Sequence, residues 1–342
     1  MAQPHGMKVS VIIPVFNKAP FLKACLDSVS HQRFKEFEVV VVDDASTDAG
    51  ADILRAHDDP RFRVLRNERN QGPGLAAQRA MDEATGEYII RMDADDVMLP
   101  DRIAQQVAFL DARPEVDLCG SALALLDRPT IIRRCPAEHA AIHAQLLFGV
   151  GLFQPTMALR RAALQRSGLR YEAGWPWYGE DRLFQLDAVQ RGLRLANQPA
   201  VLLQYREGAQ NTIHGRDRWA DLSELNTRVL MACGHPRPTE AQLEAHAWAV
   251  KYFRSAPDPQ KVKAFRAWTD HLVQWNKGAQ VVDPQALAHR VGQAWDELYH
   301  HLPDHGWRTV FAYLAHGGRF SMARAYYALR SWMSAPETTR ER

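Results

Sequence analysis

The feature that most constrains this chain is a pattern that recurs along its N-terminal part: an apolar, mostly β-branched run, a polar loop, then a helical stretch. Val9-Ser10-Val11-Ile12-Ile13-Pro14-Val15 gives way to Ala19 to His31, where Leu22, Leu26 and Val29 fall at helical spacing. Phe37-Glu38-Val39-Val40-Val41-Val42 stops at Asp43-Asp44-Ala45-Ser46-Thr47-Asp48, and a helical stretch starts near Ala49. Phe62-Arg63-Val64-Leu65 leads through a glycine-bearing loop, 67–74, to a helix over 75–84, and Glu87 to Arg91 supplies a fourth strand. The continuous apolarity of the second run, 37–42, argues for burial on both faces, as in a parallel sheet. Repeated strand-loop-helix units predict an open sheet wrapped by helices, with ligands at the carboxyl ends of the strands.

Those ends carry acids. Arg91-Met92-Asp93-Ala94-Asp95-Asp96 sets three carboxylates directly after the fourth strand. Crowded carboxylates repel one another unless a hard cation compensates them, and Mg²⁺ or Mn²⁺ bound this way keeps positions open for phosphate oxygens. Read by itself, the run is more readily an ordinary acidic turn. Further on, 102–110 reads as a helix, 117–123 as a buried strand and 160–166 as a helix. An aromatic loop, Trp175-Pro176-Trp177-Tyr178-Gly179-Glu180-Asp181, precedes a helix over 182–191. Alanine, leucine and tryptophan at helical spacing dominate after Asp217, with Pro257-Asp258-Pro259 and Asp283-Pro284 as breakers. The expected organisation is an α/β domain over 1–216 and a helical C-terminal region over 217–342.

The 342 residues suffice for both parts, and a formal net charge of +2 gives no general attraction to nucleic acid. The four cysteines, Cys25, Cys119, Cys135 and Cys233, lack CxxC spacing, so neither a zinc site nor a disulfide framework is indicated and a reducing compartment fits. The N-terminus has no basic segment followed by a long apolar stretch, and no window is long and uncharged enough to span a bilayer. The expected location is cytoplasmic, at most peripheral at the inner face of the membrane.

Five pieces of the chain, in order, carry a resemblance: Val11-Ile12-Ile13-Pro14-Val15-Phe16-Asn17, Val42-Asp43-Asp44-Ala45-Ser46-Thr47-Asp48, residues 67–72, Asp93-Ala94-Asp95-Asp96 and Gly179-Glu180-Asp181. Over roughly residues 7–215 the sequence resembles the inverting glycosyltransferases of family 2, which have the GT-A fold: a Rossmann-like, mostly parallel sheet flanked by helices. The resemblance implies a metal-dependent transfer of a sugar from a nucleotide sugar to a hydroxyl of a glycan or lipid-linked acceptor, in cell-surface polysaccharide or glycoconjugate synthesis. It divides the first domain into a nucleotide-sugar half, 7–120, and an acceptor half, 121–216. Pro14, Phe16, Asp44, Arg66, Asp93 and Asp95 fall to the donor. Phe16 would stack on a pyrimidine, a core aromatic being the alternative. Asp44 would accept the N3–H that uracil has and cytosine lacks, which favours UDP sugars. Arg66 would add a cationic contact, with a solvated surface arginine as the alternative.

The resemblance makes Asp95 the ligand of Mn²⁺ or Mg²⁺ and gives Asp93 to the ribose or a metal-bound water. Asp181 becomes the general base and Glu180 orients the acceptor or the base, although acids at a helix start also serve as ordinary caps. Ser46 and Asp48 are expected to cap the helix that follows them. Trp175 and Trp177 offer flat faces for sugar rings. Two departures stand out. Where relatives often carry an Arg-Asn pair after the glycine loop, this chain has Ala77-Gln78 followed by Arg79. Where a metal-reaching histidine often follows Tyr-Arg, Tyr205-Arg206-Glu207-Gly208 has glycine, and His214 is the nearby candidate. A sugar-phosphate nucleotidyltransferase is the rival enzyme, but it would want a glycine-rich basic loop where Pro14-Val15-Phe16-Asn17-Lys18 stands. A noncatalytic nucleotide- or glycan-binding scaffold is the other rival. Basic and aromatic residues from Trp307 onward, among them Phe311, Arg319, Phe320, Arg324, Tyr326, Tyr327 and Arg330, suit a helical packing domain or a peripheral membrane contact.

Overall fold

The computed structural model describes residues 7–174, 178–208 and 217–319, together with Met322. Two compact units emerge: Met1–Ile142 with Val150–His214, and Gly215–Arg342 with His143–Gly149. The first contains β1 (Val9–Val15), α1 (Ala19–Ser30), β2 (Phe37–Asp43), α2 (Gly50–Ala56), β3 (Phe62–Arg66), α3 (Pro73–Glu83) and β4 (Tyr88–Arg91). Then follow β5 (Val97–Met98), α4 (Arg102–Ala112), β6 (Leu118–Leu125), β7 (Ile132–Arg133), α5 (His139–Leu146, shared with the second unit), β8 (Ala158–Arg160), α6 (Arg161–Ser167), α7 (Glu180–Gln190) and β9 (Leu195–Tyr205). The strands form one sheet in the order β3-β2-β1-β4-β8-β6-β9-β5, with β7 beside β6.

The four runs read from the sequence are the parallel half of this sheet: β1 pairs in parallel with β2 and β4, and β2 with β3. Consecutive residues of β1 and β2, such as Val11, Ile12 and Ile13 or Val39, Val40 and Val41, are all fully buried, so both faces are covered. α3 lies on β1 and β2 through Ala76, Ala77 and Ala80. Small side chains let a helix approach a sheet closely, which accounts for alanine at position 77. The other half mixes directions, with β8 antiparallel to β4 and β6, and β9 parallel to β6. β9 is not evident from sequence, because Asn197-Gln198-Pro199 interrupts its apolar pattern. The register against β6 shifts at Ser121 and Ala122, opposite that stretch.

Gly86 marks where the connection into β4 crosses the start of β1. A Cβ there would lie 2.5 Å from the Ser10 backbone nitrogen and 2.6 Å from the Val9 carbonyl carbon, while the Gly86 amide donates to Ser10 Oγ at 2.8 Å. Gly86→Ala is expected to cost at least about 1–3 kcal/mol through forced backbone movement. A lower urea midpoint at unchanged slope would show it.

The second unit is helical: α8 (Arg218–Ala232), α9 (Glu240–Trp248), α10 (Pro259–Ala279), α11 (Pro284–Leu298) and α12 (Trp307–Ala315). Asp217, Thr239, Asp258 and Asp283 cap α8 to α11 with side-chain oxygens, so the prolines read as breakers open α10 and α11. Phe265, Trp268, Trp295 and Tyr313 fill its core, whereas Trp307 and Phe311 on α12 are exposed. No described helix is long and apolar enough to cross a membrane.

Candidate active site

β4 delivers the carboxylate run into a turn that the end of β9 clamps. The Arg206 amide donates to Asp96 Oδ1 at 2.8 Å, its Nε donates to the Asp95 carbonyl at 2.9 Å, and its guanidinium lies 4.3 Å from the centre of the Phe21 ring. Asp96 is buried, and its Oδ2 has no hydrogen-bond partner among the described residues. Burial, reinforced by Asp93 and Asp95, raises its carboxyl well above the usual range against the opposing Arg206 amide and Arg102. Asp96 serves the turn rather than a ligand. Asp95 Oδ2 accepts from Lys18 Nζ at 2.5 Å, and Asp93 Oδ1 from Arg91 Nε at 3.2 Å.

Among the described residues no group of three or more His, Cys, Asp or Glu converges as a cation cage. The residues nevertheless fit a hard divalent ion bound partly by substrate. Asp93 and Asp95 are oxygen donors, and a positive charge already occupies the Asp95 position. His214, Trp175, Trp177, Phe320, Arg324, Tyr326, Tyr327 and Arg330 lie outside the described residues.

On the donor side, Phe16 follows β1 and is 40% exposed, available to a flat partner rather than packed in the core. Pro14 is partly exposed one step before the strand's end. Beyond Phe16, the Asn17 amide donates to Ser46 Oγ at 3.0 Å and the Asn17 side chain accepts from the Thr47 amide at 2.8 Å. The two expected caps diverge. The N-cap position of α2 is Ala49, which has no capping side chain, and Ser46 Oγ is taken by the Asn17 amide. Asp48 does meet the start of α2, accepting from the Gly50 amide at 2.9 Å, and it also accepts from the Ala19 amide at the start of α1 at 2.8 Å. Arg66 pairs with buried Asp43 and donates to the Ser46 carbonyl at 2.9 Å.

Asp44 is buried and accepts from Asn67 Nδ2 at 2.5 Å, the Gln71 amide at 3.0 Å and the Gly72 amide at 2.8 Å. It anchors the loop that leads into α3. The residues that depart from the family pattern on α3 also have structural partners. Gln78 accepts from the Tyr171 amide at 3.0 Å, and Arg79 donates to the Arg66 carbonyl at 2.8 Å.

On the acceptor side, Glu180 and Asp181 open α7, and Asp181 Oδ1 accepts from the Arg182 amide at 2.8 Å. Burial raises the Asp181 carboxyl, with Asp93 adding and the Arg182 amide and Arg91 opposing. Burial pushes Glu180 up to about 7; Asp181 and Asp93 add to the rise, while Arg91 and the Gly74 amide oppose it. A Cβ at Gly74 would sit 2.8 Å from Glu180 Oε2 and 3.0 Å from the Tyr171 ring, so a larger residue there would push the Glu180 carboxylate aside.

Arg91 joins the two acid pairs. It is 2% exposed and donates to the Tyr171 hydroxyl at 2.9 Å and to Asp93. With its amide oxygen facing the guanidinium, Gln154 accepts at 2.6 and 2.8 Å. Burial alone would lower the Arg91 pKa, but Tyr171, Asp93 and Glu180 outweigh it and keep the guanidinium charged. Sequence reasoning missed Arg91, Lys18, Tyr171 and Arg206. Arg91 carried a signal, since a charge ending a strand buried on both faces must find partners.

The Glu180 shift has a definite sign. Between the usual 4.5 and about 7 the folded chain holds a proton that the unfolded chain has lost. The group's stabilising contribution is therefore full below the lower value and fades as pH rises through that window. From pH 4 to pH 8 the wild type is expected to lose on the order of 3 kcal/mol relative to Glu180→Gln. Paired chemical denaturation across pH would reveal it, and an equal pH dependence of the two proteins would refute it.

Residues 10–168 match the family described as Glycosyl transferase family 2. The matched stretch, just under half of the chain, is similar to this family. Succinoglycan biosynthesis protein ExoO of Rhizobium meliloti is 29% identical over 217 residues, covering 59% of this chain and 62% of ExoO. EpsE of Bacillus subtilis (strain 168) is 34% identical over 125 residues, covering 36% of this chain and 45% of EpsE. The chain thus spans about half to two thirds of the length of these curated relatives. Among solved structures, S. aureus TarS 1–349 in complex with UDP-GlcNAc superposes with a TM-score of 0.57 at 21% identity, over 82% of this chain and 84% of that one. That likeness bears out the expected α/β, GT-A type fold.

Proposed function

We propose that this protein is a metal-dependent inverting glycosyltransferase of family 2 that moves a sugar from a UDP sugar to a hydroxyl of a glycan or lipid-linked acceptor. The observation that carries the reading is the arrangement around Arg91: one buried guanidinium bonded to Asp93 and acting electrostatically on Glu180 and Asp181. An inverting transfer needs two separate acidic stations, one for the diphosphate and one for the acceptor's proton. Asp181 takes the hydroxyl proton, and its raised carboxyl makes it a stronger base than a solvated aspartate. Glu180 orients the hydroxyl or the base. Phe16 stacks on the uracil, Asp44 and Arg66 shape the pocket around the base, and Asp93 and Asp95 hold the ribose and the cation. Mn²⁺ or Mg²⁺ bound there supplies Lewis-acid neutralisation of the departing diphosphate.

UDP as the nucleotide draws support from the TarS complex with UDP-GlcNAc, and a polysaccharide acceptor from the name of ExoO. In this reading 1–216 is the catalytic domain, with 7–120 for the donor and 121–216 for the acceptor. In the same reading 217–342 is the C-terminal region, and exposed Trp307 and Phe311 on α12 are where it would touch the inner membrane face. A thermal-shift panel of nucleoside diphosphates with and without Mn²⁺ tests the core of the reading, since a ligand of the folded state raises apparent stability by mass action. UDP with Mn²⁺ is expected to raise the Tm most. No response to any nucleotide would overturn it.

A further inference from the structure

Asp95, the carboxylate proposed to hold the cation, already faces a cation of the chain's own. Lys18 Nζ sits 2.5 Å from its Oδ2, with the two side chains only 20% and 13% exposed. This pair is more withdrawn from water than the screened surface pairs that contribute little. The backbone on both sides is held. Asn17, at φ 51°, is fixed to Ser46 and Thr47, the Lys18 carbonyl accepts from the Phe21 and Leu22 amides at 2.9 Å, and Asp48 holds the Ala19 amide. Opposite, Arg206 grips the Asp95 carbonyl. The ammonium and the carboxylate are thus brought together by two separately anchored loops.

We infer that Lys18 is a resident counter-cation: in the donor-free protein its ammonium occupies the position at Asp95 that a divalent ion takes when the nucleotide diphosphate arrives. This rests on the metal-dependent reading above. A divalent ion alone must displace the ammonium and leave two positive charges close together, so it binds weakly. A diphosphate brings the negative charge that accommodates both, and the flexible lysine stem lets the ammonium turn toward the phosphate oxygens. Lys18 thereby makes cation binding depend on nucleotide binding. It is a positioning residue, and no proton transfer is assigned to it.

Mn²⁺ binding, followed by calorimetry and by the electron-spin signal of free Mn²⁺, tests this on the full chain with and without UDP. Lys18→Met is expected to bind Mn²⁺ alone about tenfold more tightly than wild type, equivalent to about 1.4 kcal/mol. The gain in Mn²⁺ affinity that UDP confers is expected to shrink by the same factor, and Lys18→Arg, which keeps a cation, is expected to stay near wild type. A variant that merely loosened the fold would lower Mn²⁺ affinity rather than raise it. Lys18→Gln gives the same reading if the methionine variant does not fold. Equal Mn²⁺ affinity without UDP in wild type and variant overturns the role of Lys18 while leaving the metal reading intact. No Mn²⁺ bound by either protein, even with UDP, overturns both.

Discussion

Asp181→Asn is expected to lower the rate of sugar transfer by on the order of 10²–10⁴-fold, the range that a positioned general base contributes. The argument for a clean result is local. Asp181 Oδ1 accepts the Arg182 amide at the start of α7, and the asparagine carbonyl oxygen can keep that bond. The substitution therefore removes the proton acceptor while keeping that hydrogen bond at the helix start. Donor affinity should stay within about twofold, because an interaction made only as the hydroxyl attacks changes kcat rather than ground-state binding. UDP release measured alongside calorimetric donor binding separates the two quantities. Because burial raises the Asp181 carboxyl, the acid limb of the wild-type pH profile should lie above the usual aspartate range. An unchanged rate in Asp181→Asn would remove this residue as the base.

Arg91→Met is expected to cost about 3–5 kcal/mol of stability, the penalty for removing one partner of a buried ionic network. Methionine fills much of the volume, so the loss is chiefly electrostatic. It would leave the Tyr171 hydroxyl and the Gln154 amide without the donor that now meets them, and would withdraw the positive charge that opposes the rise at Glu180. Glu180 should then titrate above about 7. Arg91→Lys is expected to recover less than half of the loss, because a single ammonium cannot reproduce a planar fork shared among Tyr171, Asp93 and Gln154. Denaturant unfolding at pH 7 measures both variants, and a loss below about 1 kcal/mol would place Arg91 with ordinary substitutions rather than at the centre of a network.

Much of the fold was legible because burial on two faces leaves a plain trace. Within the strand Phe37–Asp43 the run Val39 to Val42 is buried on both faces, so that apolar run and its termination at acids are written in the sequence. β9 left no such trace: its middle is only partly buried, and exposed Pro199 falls where its register against β6 shifts. The same limit applies to the site. Asp93, Asp95, Glu180 and Asp181 announce themselves as acids at strand and helix ends. Nothing in the order of residues says that Asp96, one position from Asp95, turns inward to bind the Arg206 amide. Nor does it say that Ser46 serves Asn17 instead of the helix after it.

Periodicity and residue chemistry thus determined the strand-loop-helix units, the carboxyl-end location of the acids and the resemblance to family 2, because these depend on neighbours within one turn or one strand. The tertiary structure alone decided which acids are buried or already charge-paired, and that Arg91 touches Asp93 while bearing electrostatically on Glu180. It also decided that Lys18 stands at Asp95, 77 positions along the chain. Such pairings depend on how β1, β4, β9 and α7 are brought together, and a side chain's charge and hydrogen bonds are set by what surrounds it in space rather than by what precedes it in sequence.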